Sequence, residues 1–198
     1  HRDLHLSIRR QRQMCIRDRN DVLPDDAIIA NGAGNYTAWV HRFYRYRTLG
    51  SQLAPTAGSM GYGLPAAVAA KLVQPHRPAI VFAGDGCFMM TGQELATAVQ
   101  YQLSVVIVVV NNGMFGTIRM HQERRFPGRV IGTGLVNPDF CVLAQAYGAH
   151  AERVEETAAF LPALRRALDV SGPSLIELIV DPEAITPTRA LSDLNVGG

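Results

Sequence analysis

The hydrophobic residues of this chain cluster in short apolar runs that are separated by glycine-bearing turns and by amphipathic segments. Five of these runs predict strands, at residues 27–30, 79–83, 104–110, 149–154 and 174–180. The run at 104–110 is β-branched almost throughout, which is typical of a parallel strand buried on both faces. Helices are predicted for the first part of 39–46 and for 64–71, 92–101, 138–147 and 155–168.

The alternation of strands and helices predicts the α/β class, with a doubly wound, mainly parallel sheet and helices on both of its faces. In such sheets ligands bind beyond the carboxyl ends of the strands. No apolar run approaches the roughly 20 residues that a membrane helix needs. We therefore expect a protein that does not span a membrane.

Charge and cysteine content indicate which partners and which redox environment to expect. Residues 1–19 contain six Arg and two Asp, whereas the remaining chain holds 13 basic and 15 acidic side chains. With no basic face outside residues 1–19, nucleic acid is not an expected partner. Three widely spaced cysteines without a CxxC pattern favour reduced thiols in a cytoplasmic protein.

Residues 1–19 lack the periodicity of a helix or strand through their Arg cluster. We interpret them as a non-native or disordered leader, with a genuine linker or an Arg-rich targeting peptide as the alternatives. One domain is predicted for residues 20–198, which is a length that can bury a sizeable core.

Two short motifs carry the chemistry. Gly84-Asp85-Gly86 follows one apolar run, and Asn111-Asn112 follows the next, with 27 residues between Asp85 and Asn112. This spacing spans one β-α-β crossover, so both motifs are expected at the same edge of the sheet. A carboxylate oxygen and an amide oxygen suit Mg²⁺, which commonly takes one or two protein ligands together with phosphates and water. The single Lys of the chain lies far from both motifs in sequence, so a cation and backbone N–H groups are expected to hold a diphosphate.

On these motifs and their spacing, residues 21 to about 190 resemble the diphosphate-binding (PP) domain of thiamin diphosphate enzymes of the acetolactate-synthase-like group. The resemblance implies a thiamin diphosphate-binding fold and a Mg²⁺ ion held by Asp85, Asn112 and the backbone carbonyl of Met114. It also implies that Met60, which lies 25 residues before Asp85, wedges the cofactor into its bent conformation. The cofactor-binding residues implied in this way are Gly34, Asn35, Gly58, Ser59, Met60, Gly84, Asp85, Gly86, Cys87, Asn112, Met114, Phe115 and Gly116.

The chain departs from the family pattern at several positions. The family's first diphosphate loop usually reads Gly-Gln-His, but here Asn35 and Tyr36 follow Gly34. Thr117 and His121 stand where biosynthetic acetolactate synthases typically have Met and Trp. His121 is either a proton-transfer group or, as is commoner, a surface residue.

The resemblance implies an enzyme, a lyase or transferase, that decarboxylates a 2-oxo acid such as pyruvate and transfers the resulting carbanion to an acceptor carbonyl. The alternatives are a benzaldehyde-lyase-like carboligase, a 2-oxo acid decarboxylase and, in another class, a non-catalytic cofactor-binding or assembly module. A nicotinamide-dependent oxidoreductase would need GxGxxG, and Thr37 interrupts that pattern.

The family's activating Glu belongs to a pyrimidine-binding domain, usually supplied by a neighbouring subunit. We therefore expect no catalytic residue within these 198 residues, no activity from this chain alone, and a homodimer or homotetramer of the full-length protein. FAD is a further possible cofactor, in a middle domain.

Overall fold

The computed structural model describes residues 22–194, so the predicted leader lies outside the described residues, as do both ends of the predicted domain. Six parallel strands form one sheet in the order β2-β1-β3-β4-β6-β5. The strands are β1 Ile28–Asn31, β2 Gln52–Leu53, β3 Ala79–Gly84, β4 Val105–Asn111, β5 His150–Val154 and β6 Ser174–Ile179. The helices are α1 Tyr36–Phe43, α2 Gly63–Val73, α3 Asp85–Phe88, α4 Glu94–Gln100, α5 Gly116–Arg125, α6 Phe140–Tyr147 and α7 Thr157–Asp169, followed by a 3₁₀ turn at Ser192–Leu194.

The core lies on both sides of the central strands. The first five residues of β3 and of β4 are all buried, and successive residues of a strand point to opposite faces. Both faces of the sheet are therefore covered. Helix α2 packs against β1 and β3, and helices α6 and α7 pack against β5 and β6. These features confirm the predicted α/β class and the parallel sheet.

The strand order changes direction at β1, which has β2 on one side and β3 on the other. The carboxyl ends of the two strands at such a switch point diverge into loops that leave a crevice between them. The loops after β1, β3 and β4 are therefore the positions at which this fold can hold a ligand.

The structure differs from the sequence expectation after β3. The predicted helix at 92–101 is present as α4, Glu94–Gln100, but the one-turn helix α3 precedes it, with turns between the two. Between Met90 and Ala96 several backbone N–H groups donate three residues back, as from Thr91 to Phe88 at 3.1 Å. These tighter bonds separate the two helices.

Helix α5 was not assigned from periodicity, because it buries only Glu123 and so lacks an apolar stripe. Helix α6 has clear termini. The Asp139 carboxylate accepts a hydrogen bond from the N–H of Val142, and Gly148 ends the helix in the left-handed conformation, with φ 92°. None of the helices within residues 22–194 has the length and apolar character that crossing a membrane requires.

Candidate functional site

A cavity lies at the carboxyl ends of the neighbouring strands β1, β3 and β4. Every predicted cofactor-binding residue lines it except Gly58 and Ser59, which are exposed. The remaining wall residues are Ala33, Tyr36, Val110, Thr117, Ile118, Ala184 and Ile185. The fold therefore brings together groups that are far apart in sequence.

The two motifs are joined directly by hydrogen bonds to Asp85, whose side chain is buried with 2% of the residue exposed. The N–H of Gly113 donates to Asp85 Oδ2 at 2.8 Å, and the N–H of Gly86 donates to Oδ1 at 2.9 Å. These two N–H groups are engaged by the carboxylate, although the sequence suggested that this backbone faces a diphosphate. A cation bound to Asp85 is therefore a better candidate than these two N–H groups for balancing the charge of a phosphate here.

The surroundings of Asp85 change the pKa of its carboxyl group in two opposite directions. Burial raises the pKa of Asp85, while hydrogen bonds from Asn137, Gly86, Gly113 and Met114 lower it. These donors are neutral amides. A divalent cation beside the carboxylate would add the positive charge that favours its ionised form.

The loop after β4 presents further oxygens to the same cavity. Asn112 Oδ1 accepts from the N–H of Met114 at 3.3 Å, and the Met114 carbonyl accepts from Gly116 at 2.9 Å. A short antiparallel bridge between Met114 and Gly134 holds this loop in place. Carboxylate, amide and carbonyl oxygens are ligands that suit a hard divalent cation. The donor set therefore fits the predicted Mg²⁺.

The Met60 segment is anchored to the chain that follows β3. The Gly61 N–H donates to Cys87 Sγ at 3.2 Å, and the Gly61 carbonyl accepts from Thr91 Oγ1 at 2.7 Å. These contacts support the neighbouring Met60, which is half-buried and lines the cavity. Gly58 has φ +66°, a conformation that favours glycine.

Asn35 and Tyr36 both contact other protein groups. Tyr36 is buried, its hydroxyl donates to Cys87 Sγ at 3.4 Å, and burial strongly raises its pKa, so the phenol is neutral. Asn35 Oδ1 accepts from Thr117 Oγ1 at 2.8 Å. Two departures from the family pattern, at positions 35 and 117, are therefore in direct contact.

Two polar residues of α5 lie outside the cavity wall. Arg119 pairs with Glu123, with 2.8 Å between Nη2 and Oε1, and His121 is exposed. Neither lines the cavity.

Asn137 was not singled out from the sequence. Its Nδ2 donates to Asp85 Oδ2 at 2.8 Å and to Asn111 Oδ1 at 3.0 Å. It lies in a loop, 52 residues from Asp85, where side-chain periodicity carries no information. The only signal was a polar residue just before a predicted helix. Ala184 and Ile185 also line the cavity and were missed. They belong to the segment after β6, far in sequence from the motifs.

A parallel sheet with a cavity of this composition at its switch point defines a cofactor-binding domain of the doubly wound α/β class. Residues 32–178 match the family described as "Thiamine pyrophosphate enzyme, C-terminal TPP binding domain". The chain therefore belongs to the thiamine pyrophosphate (thiamin diphosphate) enzyme family, as its C-terminal cofactor-binding domain. This finding confirms the predicted family.

Individual relatives agree with this membership. The chain is 37% identical over 158 residues to the acetolactate synthase large subunit of Lactococcus lactis, which covers 78% of the chain and 27% of that protein. It is 35% identical over 154 residues to the mitochondrial acetolactate synthase catalytic subunit of Aspergillus candidus, covering 77% and 22%. It is 32% identical over 170 residues to the acetolactate synthase isozyme 2 large subunit of Escherichia coli, covering 85% and 31%. The chain thus spans less than a third of the length of these curated relatives.

Proposed function

We propose that this domain binds thiamin diphosphate through a Mg²⁺ ion held by Asp85, Asn112 and the carbonyl of Met114. The observation that carries the proposal is the hydrogen bond from the Gly113 N–H to Asp85 Oδ2 at 2.8 Å. It brings the Gly-Asp-Gly and Asn-Asn motifs into contact at one cavity. The proposed ligands then lie just after the adjacent strands β3 and β4.

In the complete protein, we propose decarboxylation of a 2-oxo acid such as pyruvate and transfer of the resulting carbanion to an acceptor carbonyl. When bound, the thiazolium of the cofactor supplies the electron sink. The residues of this chain bind and orient it. Asp85 and Asn112 fix the diphosphate end, Met60 supports the bend between the rings, and Phe115, Ile118 and Ile185 limit access of water.

Calorimetric titration with thiamin diphosphate, with and without Mg²⁺, tests the binding proposal. We expect the wild-type chain to bind the cofactor only when Mg²⁺ is present. Asp85→Ala should lose this Mg²⁺-dependent binding, because the diphosphate charge is no longer balanced. Asp169→Ala, which removes an exposed carboxylate from the end of α7, is the matched control. Equal, metal-independent affinities for the wild type and Asp85→Ala would refute the metal site.

A second candidate function is favoured by one observation. Thr117 stands where a biosynthetic acetolactate synthase would have Met, and its hydroxyl donates to Asn35 instead of leaving an apolar surface. This polar contact in the cavity wall supports a benzaldehyde-lyase-like carboligase or a 2-oxo acid decarboxylase. Incubating the full-length protein with pyruvate, alone and with an aromatic aldehyde, distinguishes these activities by their products. A protein that binds the cofactor but forms no product would instead be a cofactor-binding or assembly module.

The remaining parts of the proposal concern the whole protein. We propose a homodimer or homotetramer in which the pyrimidine-binding domain of a neighbouring subunit completes the site. FAD in a middle domain and a cytoplasmic location remain predictions.

A further inference from the structure

A series of polar side chains extends from Asp85 into the interior, away from the cavity. Asn137 Nδ2 joins Asp85 Oδ2 to Asn111 Oδ1, at 2.8 and 3.0 Å. Asn111 Nδ2 in turn donates to Glu177 Oε1 at 2.8 Å. Glu177 is buried, with 2% of the residue exposed, and its Oε2 accepts from Arg153 Nε at 2.9 Å. The network therefore runs from the cavity to the ion pair of buried Glu177 with Arg153, which lies on the edge strand β5 and has 40% of its side chain exposed.

The hydrogen bonds determine the orientation of both amides. Asn111 Oδ1 accepts from the N–H of Gly113 at 3.1 Å as well as from Asn137, so its Nδ2 must face Glu177. Asn137 lies between two acceptors, Asp85 Oδ2 and Asn111 Oδ1. Reversing its amide would place an oxygen against two oxygens, so only the observed orientation is favourable.

This arrangement makes the two oxygens of Asp85 unequal. Oδ2 accepts from both Gly113 and Asn137, Oδ1 accepts from Gly86, and the Met114 N–H is a further donor to the carboxylate. Asn137 is the one side chain among these donors and it engages Oδ2, so the side-chain network leaves Oδ1 free. Glu177 is paired with Arg153, which also pairs with the exposed Asp139 at 2.8 Å, so the second carboxylate of the network has a cationic partner.

We propose that Asn137 is a positioning residue, which holds the Asp85 carboxylate in one orientation so that Oδ1 faces the cation. The inference rests on the proposed function of the site. Groups that hydrogen-bond to metal ligands in this way typically contribute about 10- to 100-fold to metal affinity.

Metal selectivity separates positioning from a general structural role. Mg²⁺ demands near-octahedral geometry with short bonds, while Ca²⁺ accepts variable geometry and bidentate carboxylates. If Asn137 positions Asp85, its loss should weaken Mg²⁺ more than Ca²⁺. A variant that is merely less stable would weaken both ions by the same factor.

The experiment titrates Mg²⁺ or Ca²⁺ into the whole chain at a fixed concentration of thiamin diphosphate, with calorimetric detection. For Asn137→Ala we expect Mg²⁺ affinity to fall by about 10-fold or more and Ca²⁺ affinity to fall by a clearly smaller factor. Asn31→Ala is the matched control, because Asn31 is also a buried amide at the carboxyl edge of the sheet but contacts Gly32 and His41. It should leave the ratio of the two affinities unchanged.

If circular dichroism shows that Asn137→Ala does not fold, Asn137→Gln is measured in its place, since the longer side chain keeps the amide but displaces it. Equal losses for both ions, or unchanged Mg²⁺ affinity, overturn the positioning role while leaving the cofactor site intact. Absence of Mg²⁺-dependent cofactor binding by the wild-type chain refutes the proposed function itself, and the positioning role with it.

Discussion

The contact between Gly32 and Cys87 gives a quantitative test of packing beneath the cavity. A Cβ added to Gly32 would lie 2.4 Å from Cys87 Sγ. Favourable non-bonded contacts lie at about 3.5–4.0 Å, so the two groups must separate by roughly 1 Å or more. The sulfur has little room to move, because Gly61 N–H and Tyr36 Oη lie 3.2 and 3.4 Å away. We expect Gly32→Ala to destabilise the chain by about 1–3 kcal/mol, as is typical of overpacking.

Removing the sulfur should remove most of this cost. In a Cys87→Ala background the new methyl group enters the vacated space, so Gly32→Ala should cost clearly less there, with the contact to Tyr36 Oη at 3.2 Å accounting for the remaining cost. Urea unfolding of the wild type, both single variants and the double variant measures this coupling, with equal m-values as a check on the unfolded state. Gly134→Ala is the control, because nothing lies within 4 Å of its added Cβ. Additive effects at positions 32 and 87 would refute the reasoning.

Three further predictions follow from contacts at the site and at the edge of the sheet. In the full-length protein, Met60→Ala should lower turnover while leaving thiamin diphosphate affinity nearly intact, and unchanged turnover would remove Met60 from the site. The Asn35–Thr117 hydrogen bond should give a coupling of about 0.5–1.5 kcal/mol in a double-mutant cycle of unfolding with Asn35→Ala and Thr117→Val, whereas additive effects would contradict it. The Arg166 hydrogen bonds hold the pKa of Glu152 below its usual value, so Glu152→Gln should cost about 0.5–1 kcal/mol at neutral pH. Because the folded-state pKa is the lower one, this difference should disappear as the pH falls through it, and a pH-independent difference would exclude the assignment.

Much of the fold could be predicted from the sequence, since it depends on local patterns. Apolar runs of strand length are buried wherever they occur in a compact chain, so β3, β4 and β6 were located to within one residue of their observed ends. The two-residue strand β2 was missed because so short a segment has no period. Helix α5 was missed because a helix without an apolar stripe has no hydrophobic pattern.

The sequence by itself also located the candidate chemistry. Gly-Asp-Gly and Asn-Asn follow neighbouring buried strands, and parallel strands place their carboxyl ends at one edge. What only the tertiary structure decided is which side chains meet there. The contacts of Asp85 with Asn137 and of Asn35 with Thr117 join residues 52 and 82 positions apart in the sequence. Such contacts depend on how loops pack after the sheet has formed, and a loop side chain has no periodicity that reveals its partner.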